Sequence, residues 1–136
     1  MRNLRVNGTP ARPSAARVLV IDDSPSVFYS VKAALSPDGH FVERLGCFVD
    51  LPGRIAENPP NLILLDLHIP ELPGIAMGKY IRSHQPRYIP ILIYSGAPLN
   101  ELERAMREIH ADGAIPKDTP PDALRDRVRA ALQVRK

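Results

Sequence analysis

The sequence predicts a three-layer α/β domain, a doubly wound parallel sheet of five strands in the order 2-1-3-4-5. Three observations predict it. Short apolar runs recur five times, each followed by a stretch whose apolar residues keep helical spacing. Strands that alternate with helices imply parallel pairing, right-handed crossovers and helices on both faces. Four of the five runs end in a chemically capable residue, and the exception is the second, which this order puts at the far edge.

The first run is Arg17-Val-Leu-Val-Ile21, which ends on Asp22-Asp23. Ser24 can cap a helix there, and Pro25 suits its first turn. Val27, Phe28, Val31, Ala34 and Leu35 give that helix its apolar stripe, and Pro37-Asp-Gly39 ends it. His40 to Leu45 is a more amphipathic strand, as an edge position requires. The second helix, Asp50 to Glu57, is poorly specified because Pro52 and Gly53 fall in its first turn.

The third strand is the unbroken apolar run Leu62 to Leu65, closed by Asp66. Ile75, Met77 and Ile81, with Lys79 and Arg82, describe a third helix after Gly74, stopped before Pro86. Tyr88 to Ser95 is the fourth strand, with Tyr94 read as core, and Gly96-Ala97 follow it. Pro98 opens a fourth helix with Leu99, Leu102, Met106 and Ile109 at helical spacing. Ala111 to Ile115 is a short fifth strand ending at Pro116-Lys117, and Leu124, Val128 and Leu132 stripe the helix opened by Pro121.

Composition narrows the function. With 136 residues and 44% hydrophobic content, one compact domain with a real core is expected. Residues 1–16 are expected to be a disordered basic leader, 17–134 the domain and 135–136 a tail. The formal charge of +3 is uneven: 18–121 hold 9 basic and 13 acidic residues, and the positive excess lies at the ends. That is a weak case for nucleic-acid binding, which needs a basic reading face. No run has membrane-spanning length, and Cys47, the lone cysteine, fits a reducing compartment, so a cytoplasmic protein is expected.

In the predicted strand order, Asp22, Asp23, Asp66, Ser95 and Lys117 converge at one end of the sheet. Three adjacent acids repel, so one takes a proton or a hard cation sits among them. Mg²⁺ suits such a site because it accepts a few carboxylates and keeps other positions for water, carbonyl and phosphate oxygen. Lys117 adds a positive point for an anion and Ser95 a hydroxyl donor. The set is suited to hold a phosphoryl group against a carboxylate, and an aspartate nucleophile is known chemistry.

Asp22-Asp23, the signature Asp66-x-x-x-Pro70-x-x-x-Gly74, Ser95 with its small followers, and Lys117 resemble the receiver domain of two-component response regulators, over roughly Arg17 to Val134. The resemblance implies a flavodoxin-like receiver fold, most similar to a stand-alone chemotaxis-type receiver. By it, Asp66 is the phospho-acceptor, supplied by a histidine kinase or histidine phosphotransfer protein. Asp22, Asp23, Asp66 and the backbone carbonyl of His68 hold Mg²⁺, and Lys117 and Ser95 contact the phosphate.

Three features depart from the family. Ala114 stands where a switch aromatic is usual, Lys117-Asp118 replaces a Lys-Pro pair and is expected to be trans, and the second helix is short. His68, Ala97, Ala114 and Asp118 are therefore candidate modulators. Output is expected through protein contact, to a target or a second copy, on the fourth helix, fifth strand and fifth helix. Leu99, Arg104, Arg107, Arg125 and Arg129 are placed on or near that face, with neither a DNA-binding domain nor a membrane contact. The domain is expected to act only on its own phosphoryl group and not as a general enzyme. His40, His84 and His110 share no ligand spacing and are read as surface residues. Two other readings stand beside this one: a phosphorylation-independent scaffold, and a haloacid-dehalogenase-type phosphatase, which wants an acid where His68 is.

Overall fold

A computed structural model describes residues 15–45, 48–70 and 72–133. The strands are β1 (Arg17–Ile21), β2 (Phe41–Arg44), β3 (Leu62–Leu65), β4 (Ile91–Ser95) and β5 (Gly113–Pro116). Between and after them run α1 (Pro25–Leu35), α2 (Leu51–Glu57), α3 (Gly74–His84), α4 (Leu99–Ile109) and α5 (Pro121–Leu132). All neighbouring strands pair in parallel, in the order β2-β1-β3-β4-β5. The predicted architecture and order are those observed. Residues 1–14, which cover most of the expected leader, Cys47 and the 135–136 tail lie outside the described residues.

The strand sequences follow from burial on both faces. Leu19, Ile21, Ile63, Leu65, Ile91 and Ile93 point to one side, where Met77 and Ile81 of α3 and Leu102, Ala105 and Ile109 of α4 cover them. Val18, Val20, Leu62, Leu64, Leu92 and Tyr94 point to the other, under Val31 and Leu35 of α1 and Leu124 and Val128 of α5. Tyr94 is core, as read from the sequence. Alternation within each strand thus feeds two apolar layers, which is why the runs look continuously apolar.

Several boundaries and burials differ from the sequence reading. β4 begins at Ile91, not Tyr88: Ile89 N–H donates to the Gln85 side chain, and Pro90 offers only a carbonyl, which accepts from Ile63. β5 begins at Gly113, and Asp112 instead closes the β4 edge by accepting from Ile91 N–H at 2.8 Å. Leu99, counted in the α4 stripe, is 70% exposed. His40 is not a surface residue: its side chain is 1% exposed, and Nδ1 accepts from Ala16 N–H at 3.0 Å. Ala16, assigned to the leader, is buried and its carbonyl accepts from Phe41. Arg125 and Arg129 reach toward α1, where they bond the Ala34 carbonyl and the Asp38 carboxylate. No described peptide bond is cis.

One side-chain knot ties the amino-terminal ends of β4 and β5 to α3 and α4. Arg82 donates to the carbonyls of Ile89 at 2.6 Å, Ile109 at 3.3 Å and His110 at 2.9 Å, and to Asp112 at 3.0 Å. Its guanidinium lies over the Tyr88 ring, and Tyr88 O–H donates to Asp112. Burial, reinforced by Asp112, pushes the Tyr88 hydroxyl up to about 12. His110 closes α4 in the left-handed region at φ 58°.

Candidate functional site

The site forms where β1, β3 and β5 end. Asp22 follows Ile21 directly, and its Oδ1 accepts from Ser24 N–H at 2.9 Å. Ser24 in turn caps α1 through Val27 N–H, so the turn that starts the helix also fixes the acid. Asp66 N–H donates to the Ile21 carbonyl at 3.0 Å, which extends the β1–β3 ladder one step and sets Asp66 beside Asp22. Asp22 and Asp66 are 4% and 5% exposed, whereas Asp23 is open to solvent.

Lys117 supplies the countercharge. Its N–H donates to the Ser95 carbonyl at 3.1 Å, which holds the turn after β5 against the end of β4. From there Nζ reaches 2.7 Å from Asp22 Oδ2 and 3.3 Å from Asp66 Oδ2. Burial works against the ammonium, but the close approach of Asp22 and the charge of Asp66 outweigh it, so its pKa is raised. Asp66 Oδ1 accepts from His68 N–H at 3.3 Å.

The site also explains Gly74. A Cβ there would lie 2.3 Å from the Asp66 carbonyl oxygen and 2.6 Å from Leu67 Cα. Only glycine lets α3 start this close to the acid-bearing strand, and Gly74 N–H bonds the Leu67 carbonyl at 3.1 Å. Gly74 is therefore a packing requirement of the site.

Of the residues singled out from the sequence, Asp22, Asp23, Asp66 and Lys117 come together. Ser95 is buried at the end of β4, and its hydroxyl accepts from Ala97 N–H at 3.2 Å instead of joining the acids. Ala97 is buried, Ala114 half-buried opposite Ile93, and Asp118 exposed. The His68 ring leaves the acid cluster and bonds Glu101 of α4 through Nε2 at 2.5 Å. Glu101 was not singled out from the sequence; a first-turn acid on a helix carries no mark of a partner 33 residues away.

The donor set fits a hard divalent cation. One carboxylate oxygen from each of Asp22, Asp23 and Asp66 lies within 4.8 Å of the others. Asp22 Oδ2 is buried without an aligned hydrogen bond, its ammonium neighbour notwithstanding. Hard oxygen ligands of this kind, with one open to solvent, suit Mg²⁺.

Comparison with known proteins agrees with this geometry. A family model described as response regulator receiver domain matches residues 18–129. "Response regulator MprA" of Mycobacterium sp. (strain KMS) is 32% identical over 117 residues, covering 86% of this chain and 50% of that protein. The protein of the same name from Mycobacterium bovis (strain BCG / Pasteur 1173P2) is 30% identical over 119 residues, covering 88% and 51%. The chain spans about half the length of these curated relatives.

Among solved structures, a CheY-like receiver domain protein of Methanospirillum hungatei JF-1 superposes with a TM-score of 0.77 at 24% identity, covering 88% of this chain and 94% of that one. The chemotaxis protein CheY4 of Vibrio cholerae gives 0.76 at 24% identity, over 87% and 99%. No described helix is long and apolar enough to cross a membrane. With acids, lysine and glycine spaced as they are and the family model spanning β1 to α5, this chain belongs to the response regulator receiver domains.

Proposed function

We propose that Asp66 accepts a phosphoryl group from a phosphohistidine on a partner kinase or phosphotransfer protein, and that the phosphorylated chain signals by protein contact. The observation that carries this reading is Lys117 Nζ placed between two buried carboxylates, 2.7 Å from Asp22 and 3.3 Å from Asp66. A carboxylate oxygen of Asp66 attacks phosphorus, the P–N bond of the donor breaks, and its electron pair leaves with the imidazole. The product is an acyl phosphate.

Asp22, Asp23, Asp66 and the carbonyl of His68 would hold Mg²⁺, which when bound offsets the repulsion among acids and phosphoryl oxygens. Lys117 keeps its proton and spreads the developing negative charge. The Asp66 carboxylate is oriented by His68 N–H at one oxygen and by Lys117 at the other, which leaves little freedom to misalign. Ser95 would leave Ala97 to donate its O–H to the attached phosphoryl group.

Output is proposed on α4, β5 and α5, where Leu99, Arg104 and Arg107 are exposed. The family-level partner is a histidine kinase, and the target is another protein or a second copy.

Intact mass after incubation with acetyl phosphate and Mg²⁺ tests the chemistry, with Asp66→Asn as control. One added phosphoryl group that needs Mg²⁺ and is lost in the variant is the expected result. No adduct, with rapid phosphate release excluded, would overturn the reading and leave a receiver-fold scaffold.

A further inference from the structure

Helix α4 is held very differently at its two ends. At its carboxyl end Arg82 bonds the Ile109 and His110 carbonyls, and Lys79 of α3 reaches Glu108 at 3.4 Å. At its amino end Pro98 offers no side-chain cap, and Leu99 in the first turn is exposed. Among the described residues, one polar side-chain contact from another element reaches that turn: His68 Nε2 to Glu101 Oε2.

His68 is also the residue whose backbone N–H bonds Asp66 Oδ1 at 3.3 Å. One residue therefore touches the acceptor carboxylate through its backbone and the uncapped turn of α4 through its ring. The acceptor oxygen, the 66–68 loop, the imidazole and Glu101 form an unbroken chain of contacts. A change in what Asp66 Oδ1 accepts, or in where the backbone at 66–68 sits, shifts the ring that Glu101 holds.

We propose that the His68–Glu101 bond couples the acceptor loop to the first turn of α4, so that loading Asp66 is transmitted to the proposed output face. The inference rests on the receiver reading above and adds a positioning residue, Glu101, that does not touch the site. The coupling needs only the hydrogen bond, since neutral imidazole with its proton on Nε2 donates to a carboxylate as imidazolium does. Loss of that bond releases the turn without altering the acids or the lysine.

The test uses the full chain with Mg²⁺ and beryllofluoride as the phosphoryl mimic. Fluorine NMR reads binding, and amide hydrogen exchange reads α4. The variants are Glu101→Ala and, as a charge-matched control on the exposed side, Glu103→Ala. In the parent and the control, loading should change exchange in the first two turns of α4 by about fivefold, the population change one ordinary, partly exposed hydrogen bond supports. In Glu101→Ala, beryllofluoride should bind as in the parent and the α4 response should shrink to less than half.

Equal α4 responses in parent and Glu101→Ala, with binding intact, would overturn the coupling alone. So would a parent that binds without any α4 response. A parent that fails to bind beryllofluoride with Mg²⁺ would overturn the phosphoryl-acceptor reading and the inference with it.

Discussion

Gly74→Ala tests whether the acceptor strand and α3 are as tightly locked as the geometry requires. The new Cβ would meet the Asp66 carbonyl oxygen at 2.3 Å, against an ordinary contact of at least 3.4 Å, so backbone must separate by roughly 1 Å. Neither obstacle is a side chain that can rotate away, since Asp66 O and Leu67 Cα are both backbone. Overpacking costs about 1–3 kcal/mol, and an immovable neighbour argues for the upper end. Loss of glycine's freedom in the unfolded chain returns about 0.4–1 kcal/mol. The net expectation is a loss of about 2 kcal/mol in urea denaturation.

The chemical consequence should exceed the stability loss. The displaced backbone carries Asp66 itself, and a misplacement of about 1 Å at a reacting group costs about a hundredfold in rate. Adduct formation from acetyl phosphate, followed by intact mass under conditions where the variant stays folded, should slow by that order. Gly53→Ala is the matched control: nothing lies within 4 Å of its Cβ, and it sits inside α2. It should gain about 0.5–1 kcal/mol and leave the rate alone. A Gly74→Ala protein within about 0.5 kcal/mol of the parent and unchanged in rate would refute the close-approach reasoning.

Three further outcomes follow from the same contacts. Arg82→Ala leaves Asp112 buried without its countercharge and should cost about 3–5 kcal/mol in urea denaturation, with Arg82→Lys recovering little because the forked geometry is lost; a loss below about 1 kcal/mol would contradict the knot's role. Lys117→Met should destabilise the metal-free protein by about 1–3 kcal/mol, discounted because the lysine is partly exposed, and millimolar Mg²⁺ should raise the variant's melting temperature more than the parent's; a smaller gain in the variant would count against the repulsive acid cluster. Burial, against the pull of Asp38, lowers the His40 pKa, so the folded state binds fewer protons below about 6.5, and stability present above that pH should fall as acid is added, by at most about 1.4 kcal/mol per pH unit; His40→Gln should flatten this loss just below about pH 6.5, and an unchanged slope would refute it.

Much of the fold was legible because local pattern and tertiary burial agree. β1, β3 and β4 are covered on both faces, so their runs are continuously apolar, and α1 announces itself with Ser24-Pro25. The acids were legible because a carboxylate ending an apolar run has few structural reasons to be there. What escaped is non-local. His40 lies in an edge segment that suggests solvent, but its ring turns inward to accept from Ala16, 24 residues away. Arg82 looks like a surface cation on a helix until Asp112 and three carbonyls close around it. Leu99 keeps the stripe's spacing, but as the first residue of α4, past the carboxyl end of β4, it lies open to solvent, and burial begins at Leu102. β4 lost its first three expected residues because Pro90 cannot donate and side chains of Gln85 and Asp112 take the ladder's place.

The two ends of the sheet are built for different tasks. The carboxyl end of the sheet carries two buried acids against one ammonium, an arrangement that costs stability and favours an incoming cation. The opposite end carries the Arg82–Asp112–Tyr88 knot, which contributes stability without touching the chemistry. α4 runs between them, anchored by carbonyls at the knot, whereas among the described residues the one polar side-chain contact from another element to its first turn is His68 to Glu101. A helix fixed at one end and lightly held at the other responds by pivoting, so exchange changes on loading should be largest near Asn100 to Glu103 and fade toward Glu108. The gradient follows from unequal anchoring, and Arg82→Ala should abolish it even where Glu101 is intact, by freeing the end that defines the pivot.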